Sequence, residues 1–298
     1  MSFKVIRDPI YGYISIPTKY IANFVDNQIF QRLRRIEQTS MRALYPSAHH
    51  DRFAHSLGVY YLGQLAFSNL KKNSFEFLKD YDLNWELIQN SFEIACLLHD
   101  CGHSPFSHTF EHYYVFGQEG QNVSQRLNSF FSTDPSFSQD IKKASPAPHE
   151  KISALVVLEK FYDAIEDVGG NPKLVARMIM GVQYRKNRDF EEAFFNCFIR
   201  LLNGAVIDVD SLDYIQRDSW ASGVNNVSID YERLLRALII NIDERDLPVM
   251  GFKKHVVSVL ENISIGRNFL YRWIYSHHKI TYDQHLLIES IELIDKKT

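Results

Sequence analysis

Cysteine is scarce in this chain of 298 residues: there are three, Cys96, Cys101 and Cys197. None belongs to a C-x-x-C pair, so neither a disulfide framework nor a zinc ribbon is suggested, and a reducing cytoplasm fits best. An excess of positive charge is also missing. Lys and Arg number 33 against 36 Asp and Glu, a net charge of -3, without the basic stripe that duplex nucleic-acid binding usually needs. Nucleic acid is therefore not an expected partner, although a local Arg cluster or a metal ion would suffice for a small anion. No stretch of 18 apolar residues occurs, and Met1 is followed by Ser2, Phe3 and Lys4 rather than by an apolar segment. Neither a membrane span nor a leader is expected. With no internal repeat, low-complexity tract or linker, the chain reads as a single domain over 1–298.

What the chain has is helical periodicity. FKVIRDPIYGYISIP alternates apolar and polar residues about turn-forming Asp8-Pro9 and Tyr11-Gly12, which predicts a small β-hairpin over 1–17. Two short helices follow between Thr18 and Gln38, split near Asp26. A loop over 41–50 then feeds a helix carrying His55. Asn84 is placed to cap the helix WELIQNSFEIACLLHD, whose last turn would hold His99 and Asp100 before Gly102. Residues 117–148 are rich in Ser, Gln, Asn and Pro and read as a loop with one short helix, placed as a lid. Further helices are expected at about 149–163, 171–183, 189–203, 208–221, 252–277 and 281–294, with a second hairpin around Asp243 to Asp246. The fold class is mostly α with one or two small β-hairpins.

The chemistry gathers in RFAHSLGV and LLHDCGHSPFSHTFE, which hold His55, His99, Asp100, His103, His108 and Glu111, with DVDSLDYIQRD much later. Neutral imidazole and carboxylate suit divalent metals. In the last block Asp210, Tyr214 and Asp218 fall at i, i+4 and i+8 on one helix face, whereas Asp208 suits a helix cap. Glu111 lies one helical turn after His108, and a carboxylate beside a His can orient it as a base or hold it protonated as an acid.

The order His, His-Asp, Asp resembles the HD superfamily of metal-dependent phosphohydrolases. The three blocks, with DPIYGYI and IFQRLRRIEQ, look like its deoxynucleoside triphosphate triphosphohydrolase branch over about four fifths of the chain. That resemblance implies an HD-type helical fold with His55, His99, Asp100 and Asp210 as metal ligands. The expected cofactor is a divalent ion, Mg2+ or Mn2+, with Fe, Zn, Ni and Co also open. His103, with Glu111 orienting it, would act at the scissile phosphate, either protonating the leaving oxygen or positioning the attacking water. His108 would assist, and His149 would stand near the triphosphate.

For the substrate, Arg52 lies one turn before His55, where it can point into the same cleft and make bidentate contacts to phosphate oxygens, and Arg267, Tyr271 and Tyr275 share a helix face. The resemblance puts Arg267 at the phosphates, Tyr214, Asp218, Tyr271 and Tyr275 around the nucleoside, and Gln38 at the sugar 3'-hydroxyl. Lys4, Val5, Asp26, Gln31 and Arg34 match positions at which some members hold an activating nucleotide between subunits, which implies a homo-oligomer of two or more chains. One departure stands out: Ser211 follows Asp210 where many of these enzymes have a Lys. Two alternatives stay open, another HD nucleotidase or phosphodiesterase and a non-catalytic nucleotide sensor.

Overall fold

The computed structural model describes residues 2–111, 123–185, 189–205, 207–224 and 228–296. The alternating N-terminal stretch folds as expected: β1 (Phe3–Asp8) pairs antiparallel with β2 (Gly12–Pro17), with Asp8 opposite Gly12. Asp8 Oδ1 accepts from the backbone N–H of Ile10 and Tyr11 at 2.8 and 3.0 Å. Gly12 closes the turn at a φ of 78°, a left-handed conformation that glycine adopts without strain.

The long helix α1 (Arg52–Leu78) is the axis of the molecule. Asp51 caps it by accepting from Ala54 N–H at 2.8 Å, and residues on every side of its first half are buried. A helix apolar all round has to be enclosed, and α1 packs against α2 (Trp85–Leu98), α8 (Val209–Ser222) and the hairpin β3 (Leu238–Ile242) to β4 (Pro248–Phe252). Between α2 and α8 come α3 (Val123–Phe130), α4 (Phe137–Ala144), α5 (Pro148–Lys160), α6 (Pro172–Ile179) and α7 (Phe190–Leu202). After β4 come α9 (Val257–Leu270) and α10 (His278–Asp295). Phe67, Phe92, Phe194 and Phe198 meet in the core between α1, α2 and α7. No helix among the described residues is long and apolar enough to cross a membrane.

The fold is mostly helical with two small antiparallel hairpins, but several boundaries differ from those expected. Helix α2 is capped by Asn84 at 3.0 Å but ends at Leu98, so His99 and Asp100 sit in the turns just beyond it. The break suits Gly102: a Cβ there would come within 2.3 Å of Ser153 N, so the chain must leave the helix to pass α5 closely. The 123–144 stretch holds two helices rather than one, because Leu127, Phe131 and Phe137 are buried with Leu155 and Leu158 of α5 in a small separate core. Residues 117–122 of the expected loop lie outside the described residues, as does His112. The helix expected at 252–277 is shorter: β4 runs to Phe252, α9 begins at Val257, and a π-helical turn, Tyr271–Tyr275, follows it.

Candidate functional site

Three elements bring the ligand atoms of His55, His99 and Asp210 within 4.8 Å of one another and set Asp100 beside the two imidazoles. His55 comes from the first turn of α1, His99 and Asp100 from the turn after α2, and Asp210 from the first turn of α8. His55 Nε2 lies 2.9 Å from Asp210 Oδ1 and 3.2 Å from His99 Nε2. Asp100 is 3.7 Å from each imidazole, and Asp210 Oδ1 is 3.7 Å from His99 Nε2. Asp208 stays out of the cluster. It caps α8 by accepting from Ser211 N–H at 2.6 Å and Gly204 N–H at 2.9 Å.

Three of the four ligand candidates are braced from behind, Asp100 by Arg52. His55 Nδ1 lies 2.7 Å from Asp213 Oδ2, and His99 Nδ1 lies 2.9 Å from the Cys96 carbonyl. Those contacts make Nδ1 the donor on both rings and turn the two Nε2 atoms toward each other, so that both could face a shared cation once His55 gives up its second proton. Asp213 accepts from Arg217 at 2.8 and 3.0 Å, and Arg217 reaches Asp8 of the hairpin at 3.0 Å. A buried chain thus runs Asp8, Arg217, Asp213, His55. Gly58 permits it, since a Cβ there would fall 1.9 Å from Asp213 Oδ1.

The charges suit a cation. Burial opposes a charged imidazole at His55, but Asp210 and Asp213 outweigh it and raise the group to about 10. Burial likewise opposes charge on Asp100, yet Arg52, His99 and His103 hold its carboxyl well below the usual range. Two imidazoles and two carboxylates, one of them 40% exposed to the cleft, form a mixed nitrogen and oxygen donor set that fits a divalent metal.

Arg52 was expected at phosphate and is turned inward instead. Its guanidinium is 2% exposed and donates to Asp100 Oδ2 at 2.5 Å, Ser107 Oγ at 3.0 Å and the Gln38 carbonyl at 3.3 Å. A buried guanidinium needs an anion, and Asp100 is the one in reach.

A second cluster borders the first. His103, His108, Glu111 and His149 offer nitrogens and a carboxylate oxygen that lie within 4.8 Å of one another. Glu111 does not orient His103, as the sequence suggested. It sits between His108 and His149, bonded to His108 Nδ1 and 2.7 Å from His149 Nδ1. His103 stacks on His149 with ring centroids 4.1 Å apart, 3.3 Å from Asp100. Burial and then Arg52 hold His103 well below the usual imidazole range, hence neutral. At His149 burial also disfavours the charge, but Glu111 and Asp100 prevail and raise it. Phe106 and Ser107, in the loop carrying these groups, both have positive φ, 67° and 51°, the kind of backbone strain that gathers at functional sites.

Beside the second cluster, which contributes His108 to its wall, a cavity of about 290 Å³ is lined by Gln38, Ser107, His108, Tyr214, Asp218, Tyr271 and Tyr275, among others. That is near the lower end of small-molecule sites, roughly 300–1,000 Å³. Tyr214 and Tyr275 rings are 6.4 Å apart, and Tyr275 donates its hydroxyl to Asp218. Arg267 is half-buried, its guanidinium 5.7 Å from the Tyr271 ring. Ser211 contributes no free hydroxyl, because it donates to the Asp208 carbonyl at 2.9 Å and accepts from Asp208 N–H at 3.2 Å. Sequence reasoning missed the lining residues Met41, Ile280 and Gln284, which arrive from a 3-10 turn and from α10. It also missed Asp213 and Arg217.

At the surface, Gln31 donates to the Val25 carbonyl at 2.7 Å and accepts from Arg34 Nε at 3.0 Å, and Arg34 covers the Phe53 ring at 3.5 Å. Lys4, Val5 and Asp26 are exposed.

Helices converging a His, a His-Asp pair and a distant Asp define a candidate metal-binding centre, and comparison with known proteins supplies the family. The HD domain family matches residues 52–214, more than half of the chain, and the chain belongs to that family. It is 29% identical over 280 residues to an uncharacterised protein of Mycoplasma genitalium, covering 93% of this chain and 57% of the relative. It is 31% identical over 284 residues to the deoxynucleoside triphosphate triphosphohydrolase SAMHD1 of Danio rerio, covering 92% of this chain and 42% of the relative. A crystal structure of a phosphohydrolase from Bacteroides thetaiotaomicron superimposes with a TM-score of 0.69 at 27% identity, over 96% of this chain and 58% of the other. The chain thus spans about half the length of the curated relatives it matches.

Proposed function

We propose that the protein hydrolyses deoxynucleoside triphosphates, releasing a deoxynucleoside and inorganic tripolyphosphate. The observation that carries this reading is the His55, His99, Asp100 and Asp210 cluster, together with a cavity lined by Gln38, Tyr214, Asp218 and Tyr275 that reaches His108 of the neighbouring histidine cluster. The similarity to triphosphohydrolases supports the choice of substrate.

His55, His99, Asp100 and Asp210 would hold a divalent ion, with Mg2+ or Mn2+ preferred. When bound, it lowers the pKa of water and shields phosphate charge. Arg267, half-buried beside Tyr214 and Tyr271, takes the phosphates and offsets charge that grows in the transition state. Arg52 keeps Asp100 ionised and oriented. His149, whose proton affinity Glu111 raises, is the group able to carry a proton to the leaving oxygen. The neutral His103 stacked on it orients the reacting phosphate, and His108 shares Glu111. Gln38 and Asp218 accept from the sugar hydroxyl, and the phenols of Tyr214, Tyr271 and Tyr275 enclose the nucleoside.

An activating nucleotide at Lys4, Val5, Asp26, Gln31 and Arg34, bound between copies of the chain in the cytoplasm, belongs to the same proposal. Its mark is sigmoidal substrate dependence together with nucleotide-dependent assembly.

One observation favours a second reading. Ser211, an uncharged residue following Asp210, is folded into the cap of α8 and offers no charge to a further phosphate, which suits another HD phosphohydrolase with a smaller phosphate chain. Incubating the protein with each dNTP and Mg2+ or Mn2+, with products separated by ion exchange, decides between them. Tripolyphosphate supports the proposal, single phosphate supports the second reading, and tight binding without turnover in any metal indicates a sensor.

A further inference from the structure

The two polar walls of the cavity are fastened to the same residue. Gln38 donates its backbone N–H to the His50 carbonyl at 3.1 Å, in a short antiparallel bridge where Glu37 faces Asp51. Asp218 Oδ1 lies 2.6 Å from His50 Nε2, with the two side chains 1% and 6% exposed. The other Asp218 oxygen accepts from the Tyr275 hydroxyl. A carboxylate can only accept, so His50 Nε2 must be the donor in this pair. Each carboxylate oxygen keeps a further lone pair for a ligand. Gln38 Oε1 is buried without a hydrogen-bond partner among the described residues, and a buried polar atom left alone usually signals an absent one. Both residues line the cavity.

We propose that His50 is a positioning residue of the nucleoside pocket: its ring fixes Asp218 and its backbone fixes Gln38, so that two acceptors are held at a set spacing for a sugar hydroxyl. This rests on the nucleotide reading above. His50 touches no reacting atom. Its effect falls on ligand binding, through the orientation of Asp218, and Tyr275 shares in it because its phenol is held by the same carboxylate. Burial and then Asp218 push the Tyr275 phenol well above its usual range, which keeps its proton in place.

The test measures binding of each of the four deoxynucleosides to the metal-loaded protein by calorimetry, with KM and kcat for the dNTPs and thermal melting alongside. His50→Leu is expected to weaken deoxynucleoside binding and raise KM by about tenfold, as for a lost hydrogen bond to a charged acceptor. It should lower kcat much less and leave metal content unchanged. His50→Gln, whose amide N–H can replace the donor, should recover most of the binding. A His50→Leu protein that binds deoxynucleosides as well as the wild type, or one whose KM is unchanged while kcat falls, overturns this inference alone. If His50→Leu does not fold, a folded His50→Gln variant decides: near-normal binding supports the role and lost binding overturns it. A wild type that neither binds a deoxynucleoside nor hydrolyses a dNTP overturns both this inference and the reading beneath it.

Discussion

The ligand cluster and the histidine cluster beside it are built in opposite ways. His55, His99, Asp100 and Asp210 stand on or just past long helices, and each of the first three has a buried partner behind it, Asp213, the Cys96 carbonyl and Arg52 respectively. His103, His108 and Glu111 ride on a loop with two positive-φ residues, and His108 is 62% exposed. Their partners include one another and His149 across the gap, with Asp100 3.3 Å from His103 and Arg52 3.3 Å from His108. A rigid mount suits groups that must present fixed lone pairs to a cation, whereas groups that trade protons with a substrate need position but also room. The first cluster should therefore fail abruptly when a brace is removed, and the second should respond by gradual shifts.

The largest effect is expected from His99→Ala, which removes one of the two facing imidazoles. Hydrolysis should fall to background under any divalent metal, measured by phosphate release. Next, Asp213→Asn leaves the ligands in place but weakens the brace on His55, and metal affinity should drop about 10–100-fold, as for other outer partners of metal ligands. Competition with a chelating indicator reads this out. Asp8→Asn, at the far end of the same chain, should cost less affinity than Asp213→Asn, and an equal or larger loss would refute a relay through Arg217.

Gly58→Ala acts on the same brace through packing. The added methyl would meet Asp213 and Arg217, so stability should fall by about 1–3 kcal/mol, as for overpacking, read by denaturant unfolding. The smallest effect is reserved for the second cluster. Glu111 raises the proton affinity of His149, so activity that needs a protonated His149 falls as pH rises through its raised pKa. Glu111→Gln should move that descending limb to lower pH. An unmoved limb would assign the proton to another group.

The same contrast explains what was legible in the sequence. His55, Asp210, Tyr214 and Asp218 could be set on shared or facing helices because 3.6-residue spacing fixes a side chain's direction. Glu111 and His149 are 38 positions apart with α3 and α4 between, and no periodicity links them, so Glu111 was assigned to the wrong histidine. Asp213 and Arg217 form an i, i+4 pair, a pattern that on an exposed helix means little; only burial gives it weight. The helices at 123–144 were hidden by polar composition, since three buried aromatic and aliphatic side chains, Leu127, Phe131 and Phe137, suffice to anchor them. Arg52 was read correctly as lying beside His55, but sequence alone could not tell that Asp100 would claim its guanidinium.

The most direct measurement is a Mn2+ titration of the purified protein against its Asp210→Ala variant, followed by calorimetry at neutral pH in two buffers of different ionisation enthalpy. Convergence of the four side chains predicts one tight site in the wild type, release of a proton because His55 must give up the charge that Asp210 and Asp213 favour, and loss of the site in the variant. An Asp210→Ala protein that binds Mn2+ as tightly as the wild type, with the same proton release, would contradict the account.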